Sequence, residues 1–229
     1  FGREITGRVR IVSASAAPVR VALSLGESKD EALERPYTGV QRLEISARGS
    51  VTGVNSAYRY AKIAFLTGPH PIRIRQILCD HLYYPVQYRG AFACSDPLLT
   101  RLWYVGAYTA HLCMQNDIWD APKRDRARWM GDLHVSGEVI NNVFLDRFLM
   151  QQTMDRLRDD AGVPMQHHVN GIPGYSCAWV GGQADLYRHT GDLVYLKKQH
   201  DRLIDLLDFF RGEMDDRGLF ADRRGEWPY

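Results

Sequence analysis

Carboxylates, guanidinium groups and indole rings are concentrated in one stretch of the chain, residues 117–132. Its sixteen residues include four aspartates, four basic residues and two tryptophans. Pro122 disfavours a helix at Ala121, which predicts that Asp120 lies on a bend or loop. Guanidinium groups bind carboxylates in a planar, bidentate geometry, and an indole ring offers a flat apolar face against which a sugar can stack. This combination indicates a carbohydrate site.

Two other interpretations of the same stretch are open. Alternating arginines and aspartates also form surface ion-pair networks, which contribute about 0–1 kcal/mol per pair. A basic run such as residues 123–128 is also typical of nucleic-acid patches. The net charge of the chain is only +2 and aspartates interrupt the run, so nucleic acid is not expected as a partner.

The composition is that of a soluble globular protein, with 45% hydrophobic and 24% charged residues. No apolar run has the length of a membrane span and the first residues do not resemble a signal peptide, so no membrane partner is expected. The four cysteines show no CxxC spacing, which predicts buried thiols and neither a zinc site nor a disulfide framework. They are Cys79, Cys94, Cys113 and Cys177.

Residues 1–89 are predicted to form an antiparallel β-sandwich domain that is incomplete at its N-terminus. Apolar residues alternate with polar ones in several short runs, separated by Gly, Pro, Asn and Ser, as in half-buried strands. The runs include Val9 with Ile11, residues 19–25, Leu43 with Ile45, residues 58–65, and Ile72 with Ile74. The polar residues 26–32 are interpreted as an excursion between strands.

Near residue 90 the apolar period changes to that of helices, and five helices are predicted. Asp96 followed by Pro97 is typical of a helix start. Long loops carrying unusual residues fall at 117–132, at 161–176 and from 216 onward, where a helical barrel can assemble a site. The predicted apolar faces are Leu98, Leu102, Val105, Thr109 and Leu112 in the first helix, Val180, Ala184 and Tyr187 in the fourth, and Leu196, Leu203, Leu207 and Phe210 in the last.

Residues 120–132 follow the order Asp-x-Pro-x-Arg-Asp/Glu-Arg-x-x-Trp-x-Gly-Asp, which resembles the signature of bacterial α-L-rhamnosidases of glycoside hydrolase family 78. Residues 92–103 and 172–179 are similar to that family too. The resemblance implies a multidomain β + α architecture, in which the β-sandwich is followed by the first part of an (α/α)6 six-hairpin barrel at residues 90–229. Five helices are fewer than the twelve of such a barrel, so the resemblance implies a fragment of a longer chain.

The resemblance also implies hydrolysis of terminal α-L-rhamnosyl residues by an inverting mechanism, which needs two carboxyl groups flanking the scissile bond. Asp125 falls at the general-acid position, which is glutamate in many members. Asp120, Arg124, Trp129 and Asp132 fall where the family binds the sugar. The base is expected to be a glutamate beyond this chain.

Other residues carry weaker predictions. Trp179 and Trp227 are further substrate-binding candidates, although core packing is the alternative for Trp179. His167 and His168 are expected to line the sugar pocket, with metal binding as the alternative. Glu138 is expected to lie on a helix surface. No metal and no cofactor is predicted.

The expected partner is therefore a rhamnose-containing glycoside or polysaccharide, with a homodimer left open, in the bacterial cytoplasm or periplasm. Two alternatives remain. One is another six-hairpin glycosidase with a different sugar specificity, and the other is a non-catalytic rhamnose-binding protein.

Overall fold

The chain divides into two compact units in the computed structural model, which describes residues 1–67, 71–162 and 167–220. The first, here called the β unit, comprises Phe1–Tyr83 together with Pro122–Asp125. The second, the helical unit, comprises Tyr84–Ala121 and the chain from Arg126 onward. Four residues of the loop 117–132, here called the charged loop, therefore group with the strands. The chain on either side of these four residues groups with the helices.

Two antiparallel sheets make up the β unit. Strand β1 pairs with β4 and β5 on one side and β7 on the other, while β2 lies between β3 and β6. The strands are β1 (Ile5–Ser13), β2 (Val19–Gly26), β3 (Val40–Ile45), β4 (Ser50–Thr52), β5 (Ser56–Tyr58), β6 (Tyr60–Thr67) and β7 (Ile74–His81).

The core of the β unit is built from both sheets. Val9 and Ile11 of β1 and Val21 and Leu23 of β2 belong to one apolar cluster, and each is 0% exposed. They occupy alternate positions, so period two places them on one face of each strand. Burial of each such side chain contributes about 1.5–3 kcal/mol. The predicted antiparallel sandwich is confirmed.

A short helix, α1 (Lys29–Glu34), occupies the stretch that the sequence analysis interpreted as a polar excursion. The side chain of Ser28 accepts a hydrogen bond from the backbone N–H of Glu31 at 3.0 Å, which satisfies a donor at the helix start. Ser-x-x-Glu is a capping signal, so the sequence did contain the information for this helix.

Five long helices follow in the described residues of the helical unit. They are α2 (Pro97–Cys113), α3 (Met130–Val143), α4 (Arg147–Asp160), α5 (Pro173–Thr190) and α6 (Leu193–Glu213), with a 3-10 turn at Val169–Gly171. Asp96 caps α2 as predicted, with Pro97 in the first turn, and its carboxylate accepts from the N–H of Leu98 at 2.7 Å. The five predicted helices are confirmed in number and order.

The face that α2 packs differs from the predicted one. Leu98, Leu102 and Val105 are 60%, 55% and 52% exposed, whereas Ala107 and Ala110 are buried. Small side chains at the packed positions let the backbone of α2 approach α3 closely. The helix is therefore apolar on two sides, and the described part of the chain covers only the side with the smaller residues.

The same offset occurs in α5 and α6. Trp179 and Leu186 are the buried apolar residues of α5, in place of the predicted stripe through Tyr187, which is 39% exposed. In α6, Leu206 and Phe210 are buried but Leu207 is 39% exposed. Of the predicted stripe in α6, only Phe210 is fully packed.

The cysteines also depart in part from the prediction. All four are free thiols, and Cys113 is buried, but Cys94 and Cys177 are exposed. Within the described ranges, no helix combines the length and the apolar character that crossing a bilayer requires.

Candidate active site

Asp120 lies at the base of the charged loop and is held there by two hydrogen bonds. Its backbone N–H donates to the carbonyl of Ala127 at 3.0 Å, and its side-chain Oδ1 accepts from the N–H of Ala127 at 3.0 Å. Just before it, the N–H of Trp119 donates to the carbonyl of Cys113 at the end of α2. Residues 120 and 127 therefore close the loop between them, which confirms that Asp120 is not helical.

Part of the charged stretch is an ion-pair network, as one of the alternative interpretations proposed. Asp117 is 3% exposed. Its carboxylate accepts from Arg128 at 3.0 Å and from Arg156 at 2.7 Å, while Arg128 also binds Asp160 at 2.8 Å. We call these four residues the aspartate cluster. They fix the loop to α4, so Asp117 serves to hold the loop in place.

The start of α3 is set by a residue that the sequence analysis did not identify. The side-chain oxygen of Asn170 accepts from the N–H of Met130, and its amide donates to the carbonyl of Arg128, both at 3.0 Å. Asn170 has φ 54, a left-handed conformation that asparagine tolerates. It thereby places Asp132 in the first turn of α3, where the helix dipole favours a negative charge.

Tyr175 packs directly against the first turn of α3. A Cβ atom at Gly131 would collide with the Tyr175 ring, so a larger residue there would displace the ring. Burial, and next the charge of Asp132, raise the pKa of the Tyr175 phenol. Tyr175 is a second site residue that the sequence analysis missed. The sequence gives only a weak indication that Tyr175 belongs to a site, because it is a single aromatic residue within a helix.

A cleft of about 680 Å³ opens in the helical unit next to these residues, within the usual size range of ligand sites. Two of the predicted sugar-binding carboxylates line it, together with two aromatic rings and several apolar side chains. The lining residues are Gly106, Thr109, Ala110, Cys113, Trp119, Asp120, Gly131, Asp132, Val135, Ser136, Val139 and Tyr175. Carboxylate acceptors beside aromatic faces suit a sugar, which presents hydroxyl groups and apolar C–H faces.

Trp129 lies at the N-terminal end of α3, edge-on to the Tyr175 ring with 6.3 Å between ring centroids. Its indole Nε1 is buried and has no hydrogen-bond partner among the described residues. Leaving a buried donor unpaired costs about 1–3 kcal/mol, which a ligand acceptor can recover.

Asp125 and Arg124 lie in Pro122–Asp125, the segment that groups with the β unit. The Arg124 Nε lies 3.3 Å from the Asp125 Oδ1, and the two side chains are 60% and 44% exposed. The predicted acid and one predicted sugar ligand thus belong to one unit, while Asp120, Asp132 and Trp129 belong to the other.

Trp179 is a core residue. Its side chain is 0% exposed and its indole N–H donates to the carbonyl of Met154 at 3.0 Å. The structure therefore favours the core alternative, because no face of the ring is left for a sugar. The other predicted tryptophan, Trp227, lies outside the described residues.

The two adjacent histidines point to different environments. His168 is buried, with its Nδ1 at 3.2 Å from the Ser176 hydroxyl and its ring 4.9 Å from the Phe209 ring, whereas His167 is exposed. Neither lines the cleft. In the described part of the chain, no group of three His, Cys, Asp or Glu residues is arranged to hold a metal. Glu138 is exposed on α3, as expected.

A second cleft of about 440 Å³ lies where α4 begins and α5 ends, lined by Arg89, Leu145, Asp146, Arg147, Phe148, His189 and Thr190. Its carboxylate, Asp146, accepts from the N–H of Leu149 at 2.9 Å and so caps α4. Glycoside hydrolysis needs two carboxyl groups, and Asp146, which lines this cleft, already accepts a backbone hydrogen bond. This cleft is therefore a poorer candidate for glycoside chemistry than the first.

The comparisons with known proteins identify the family of the chain. Residues 87–229 match the family described as the bacterial alpha-L-rhamnosidase 6 hairpin glycosidase domain. The chain belongs to this rhamnosidase family. An α-L-rhamnosidase of Formosa agariphila is 24% identical, over 74% of this chain and 20% of that protein.

Solved rhamnosidase structures show the same fold. The glycoside hydrolase family 78 rhamnosidase of Bacillus sp. GL1 superposes with a TM-score of 0.84 at 22% identity, covering 96% of this chain and 24% of that one. The rhamnosidase of Klebsiella oxytoca, solved with rhamnose bound, gives a TM-score of 0.80 at 20% identity, covering 99% and 50%. The chain thus spans between 20% and 50% of the length of these relatives. The predicted fold class, antiparallel sheets followed by the start of a six-hairpin domain, is confirmed.

Proposed function

We propose that the whole protein hydrolyses terminal α-L-rhamnosyl residues with inversion of configuration. In this proposal Asp125 is the general acid, and a glutamate outside these 229 residues is the base. The observation that carries the proposal is that Asp120 and Asp132 line one cleft with Trp119 and Tyr175, in a chain of the rhamnosidase family.

The cleft would bind the sugar through charge-assisted hydrogen bonds and ring contacts. Carboxylate oxygens of Asp120 and Asp132 would accept from rhamnose hydroxyls, since bonds to charged groups are the stronger ones. The methyl group of the sugar would lie against Tyr175 or Trp119. The unpaired indole N–H of Trp129 would donate to a further hydroxyl.

Arg124 has two roles in the proposal. In the free chain its Nε lies 3.3 Å from the Asp125 carboxylate. We propose that Arg124 turns to a sugar hydroxyl when substrate binds, while the Asp125 carboxyl gives its proton to the leaving-group oxygen.

A panel of aryl glycosides, tested on the full-length protein, distinguishes the candidate functions. We expect cleavage of the α-L-rhamnoside, with β-L-rhamnose as the first product in a proton NMR time course. Preference for another sugar would favour a six-hairpin glycosidase of different specificity. Rhamnose binding without cleavage of any rhamnoside would favour a non-catalytic binding protein.

A further inference from the structure

Lys123 is a charged residue whose side chain is only 13% exposed. Its Nζ lies 2.9 Å from an oxygen of Glu31 and 3.1 Å from an oxygen of Glu27, and 5.4 Å from the centre of the Tyr37 ring. Lysine is rarely buried to this extent without partners. These contacts all lie within the β unit, since Lys123 is in the segment Pro122–Asp125.

The carboxylate that receives Lys123 is itself fixed by the backbone. Glu31 accepts from the N–H of Glu27 at 2.9 Å and from the N–H of Tyr37 at 3.4 Å. Burial would raise the pKa of Glu31, but the hydrogen bonds from Lys123 and from these backbone groups outweigh it and lower the pKa. Because Glu31 lies on α1 and is bonded on both sides, it offers Lys123 one fixed position.

A third carboxyl, Glu4, completes the group, which we call the lysine cluster: Lys123, Glu27, Glu31, Glu4 and Tyr37. Burial, and next the charge of Glu27, raise the pKa of Glu4 to about 7. Burial would lower the pKa of Lys123, but the hydrogen bonds to Glu31 and Glu27 outweigh it and raise the pKa. Lys123 therefore stays charged and faces an excess of carboxyl groups.

The next two side chains of the segment are more exposed than Lys123. Arg124 and Asp125 are 60% and 44% exposed, compared with 13% for Lys123. Two residues of chain span at most about 7 Å, so fixing Lys123 limits where the carboxyl of Asp125 can go.

We propose that Lys123 is a positioning residue for the general acid. Its ion pairs with Glu27 and Glu31 fix the segment Pro122–Asp125 to the β unit and thereby hold Asp125 in place for proton transfer. This inference rests on the proposed function in one respect, namely that Asp125 is the acid.

Replacing Lys123 by methionine in the full-length protein tests the inference, because methionine keeps the length of the side chain but not its charge. A misplaced acid matters most when the leaving group needs its proton. We expect kcat on an alkyl α-L-rhamnoside to fall by about 10- to 100-fold, the scale of a small misplacement. On a nitrophenyl rhamnoside, which leaves without much protonation, the fall should be within about threefold, with KM unchanged on both.

Hydrogen exchange supplies a readout that does not depend on activity. Amides of residues 123–126 should exchange faster in Lys123→Met than in the wild type, because the segment opens more often. Lys123→Arg, which restores the charge, should recover most of both properties. Arg20→Met is the matched control, since it removes an exposed ion pair of 3.0 Å with Glu44 in the same unit.

The outcomes separate this inference from the proposed function. Unchanged exchange at residues 123–126 in Lys123→Met overturns the inference, and so does an equal loss of kcat on both substrates. Faster exchange together with a wild type that cleaves no rhamnoside supports the attachment of the segment and overturns only the rhamnosidase assignment. Should Lys123→Met not fold, Glu31→Gln weakens the same contact with little change of shape. Its hydrogen exchange at residues 123–126 and its kcat on the two substrates then test the inference in the same way.

Discussion

The charged loop contains two largely buried charges of opposite sign, Asp117 in the helical unit and Lys123 in the β unit. In the helical unit, the aspartate cluster surrounds one carboxylate, Asp117, with two guanidinium groups. In the β unit, the lysine cluster surrounds one ammonium, Lys123, with carboxyl groups. The lysine cluster also contains Glu4, whose pKa is raised to about 7, so the attachment in the β unit should respond to pH near neutrality.

The proposal gives residues of the two units different roles. Asp125→Asn in the full-length protein removes the proposed proton donor, which lies in the segment Pro122–Asp125. We expect kcat on an alkyl rhamnoside to fall by about 10²- to 10⁴-fold, the usual contribution of a general acid, while rhamnose affinity stays within about twofold. Steady-state kinetics and calorimetry measure the two effects. Near-normal turnover of this substrate would exclude Asp125 as the acid.

Asp132→Ala is the counterpart in the helical unit. It removes a carboxylate that lines the cleft and that we propose accepts from a rhamnose hydroxyl, so rhamnose binding should weaken by about 1–3 kcal/mol. Unchanged affinity by calorimetry would remove Asp132 from the binding site and with it the division of roles between the units.

Stability is the second point of comparison. Asp117→Asn keeps the shape of the side chain but leaves Arg128 and Arg156 facing a neutral amide, which should destabilise the helical unit by on the order of 3 kcal/mol. Asp160→Asn is the control, because Asp160 binds the same Arg128 but is 56% exposed. Its effect should lie within about 1 kcal/mol. Equal shifts of the denaturation midpoint in the two variants would mean that burial of Asp117 adds nothing.

The smallest expected effect is a dependence of β-unit stability on pH. The pKa of Glu4 is raised to about 7 in the folded chain, from 4.5. The folded state therefore binds more protons than the unfolded state between these values, so the contribution of Glu4 to stability is complete below about pH 4.5 and falls until about pH 7. The contribution of Glu31 to stability changes with pH in the opposite direction. Because its pKa is lowered in the folded chain, this contribution is lost only as the pH falls into the acidic range.

Exchange rates of β1 amides at about pH 5 and about pH 8, corrected for the intrinsic rates, measure this dependence. Glu4→Gln, which cannot ionise, should remove it. Glu44→Gln, at an exposed ion pair, should not. If the exchange rates of Glu4→Gln still differ between the two pH values, the titrating group is a residue other than Glu4.

The packed faces of β1 and β2 could be predicted from the sequence, for a physical reason, whereas α1, β4 and most of β7 were not predicted. A strand has two faces, and the alternation from Val19 to Leu25 marks the packed one, since Val19, Val21 and Leu23 are all buried. In a helix that is apolar on two sides, the stripe of largest side chains need not be the packed one. Leu102 in α2 is therefore exposed while Ala107 is buried.

Some residues of the candidate site could also be predicted from the sequence, and others could not. Asp120 and Asp132 could be predicted because they belong to one continuous motif, and both line the cleft. The contact of Lys123 with Glu31 joins residues 92 positions apart, and that of Asn170 with Met130 joins residues 40 apart. Nothing local in the sequence pairs such residues, because the fold alone brings them together.

The path of the chain has a consequence for dividing this protein into modules. The backbone enters the helical unit at Tyr84, returns to the β unit for Pro122–Asp125 and enters the helical unit again at Arg126. One cut between the two units therefore does not yield two autonomous pieces. A protein that begins at residue 84 would carry Lys123 without Glu27 and Glu31, and grafting a foreign β-domain onto the helices would have to reproduce those two acids. Any such exchange in this protein must preserve three residues as well as the boundary.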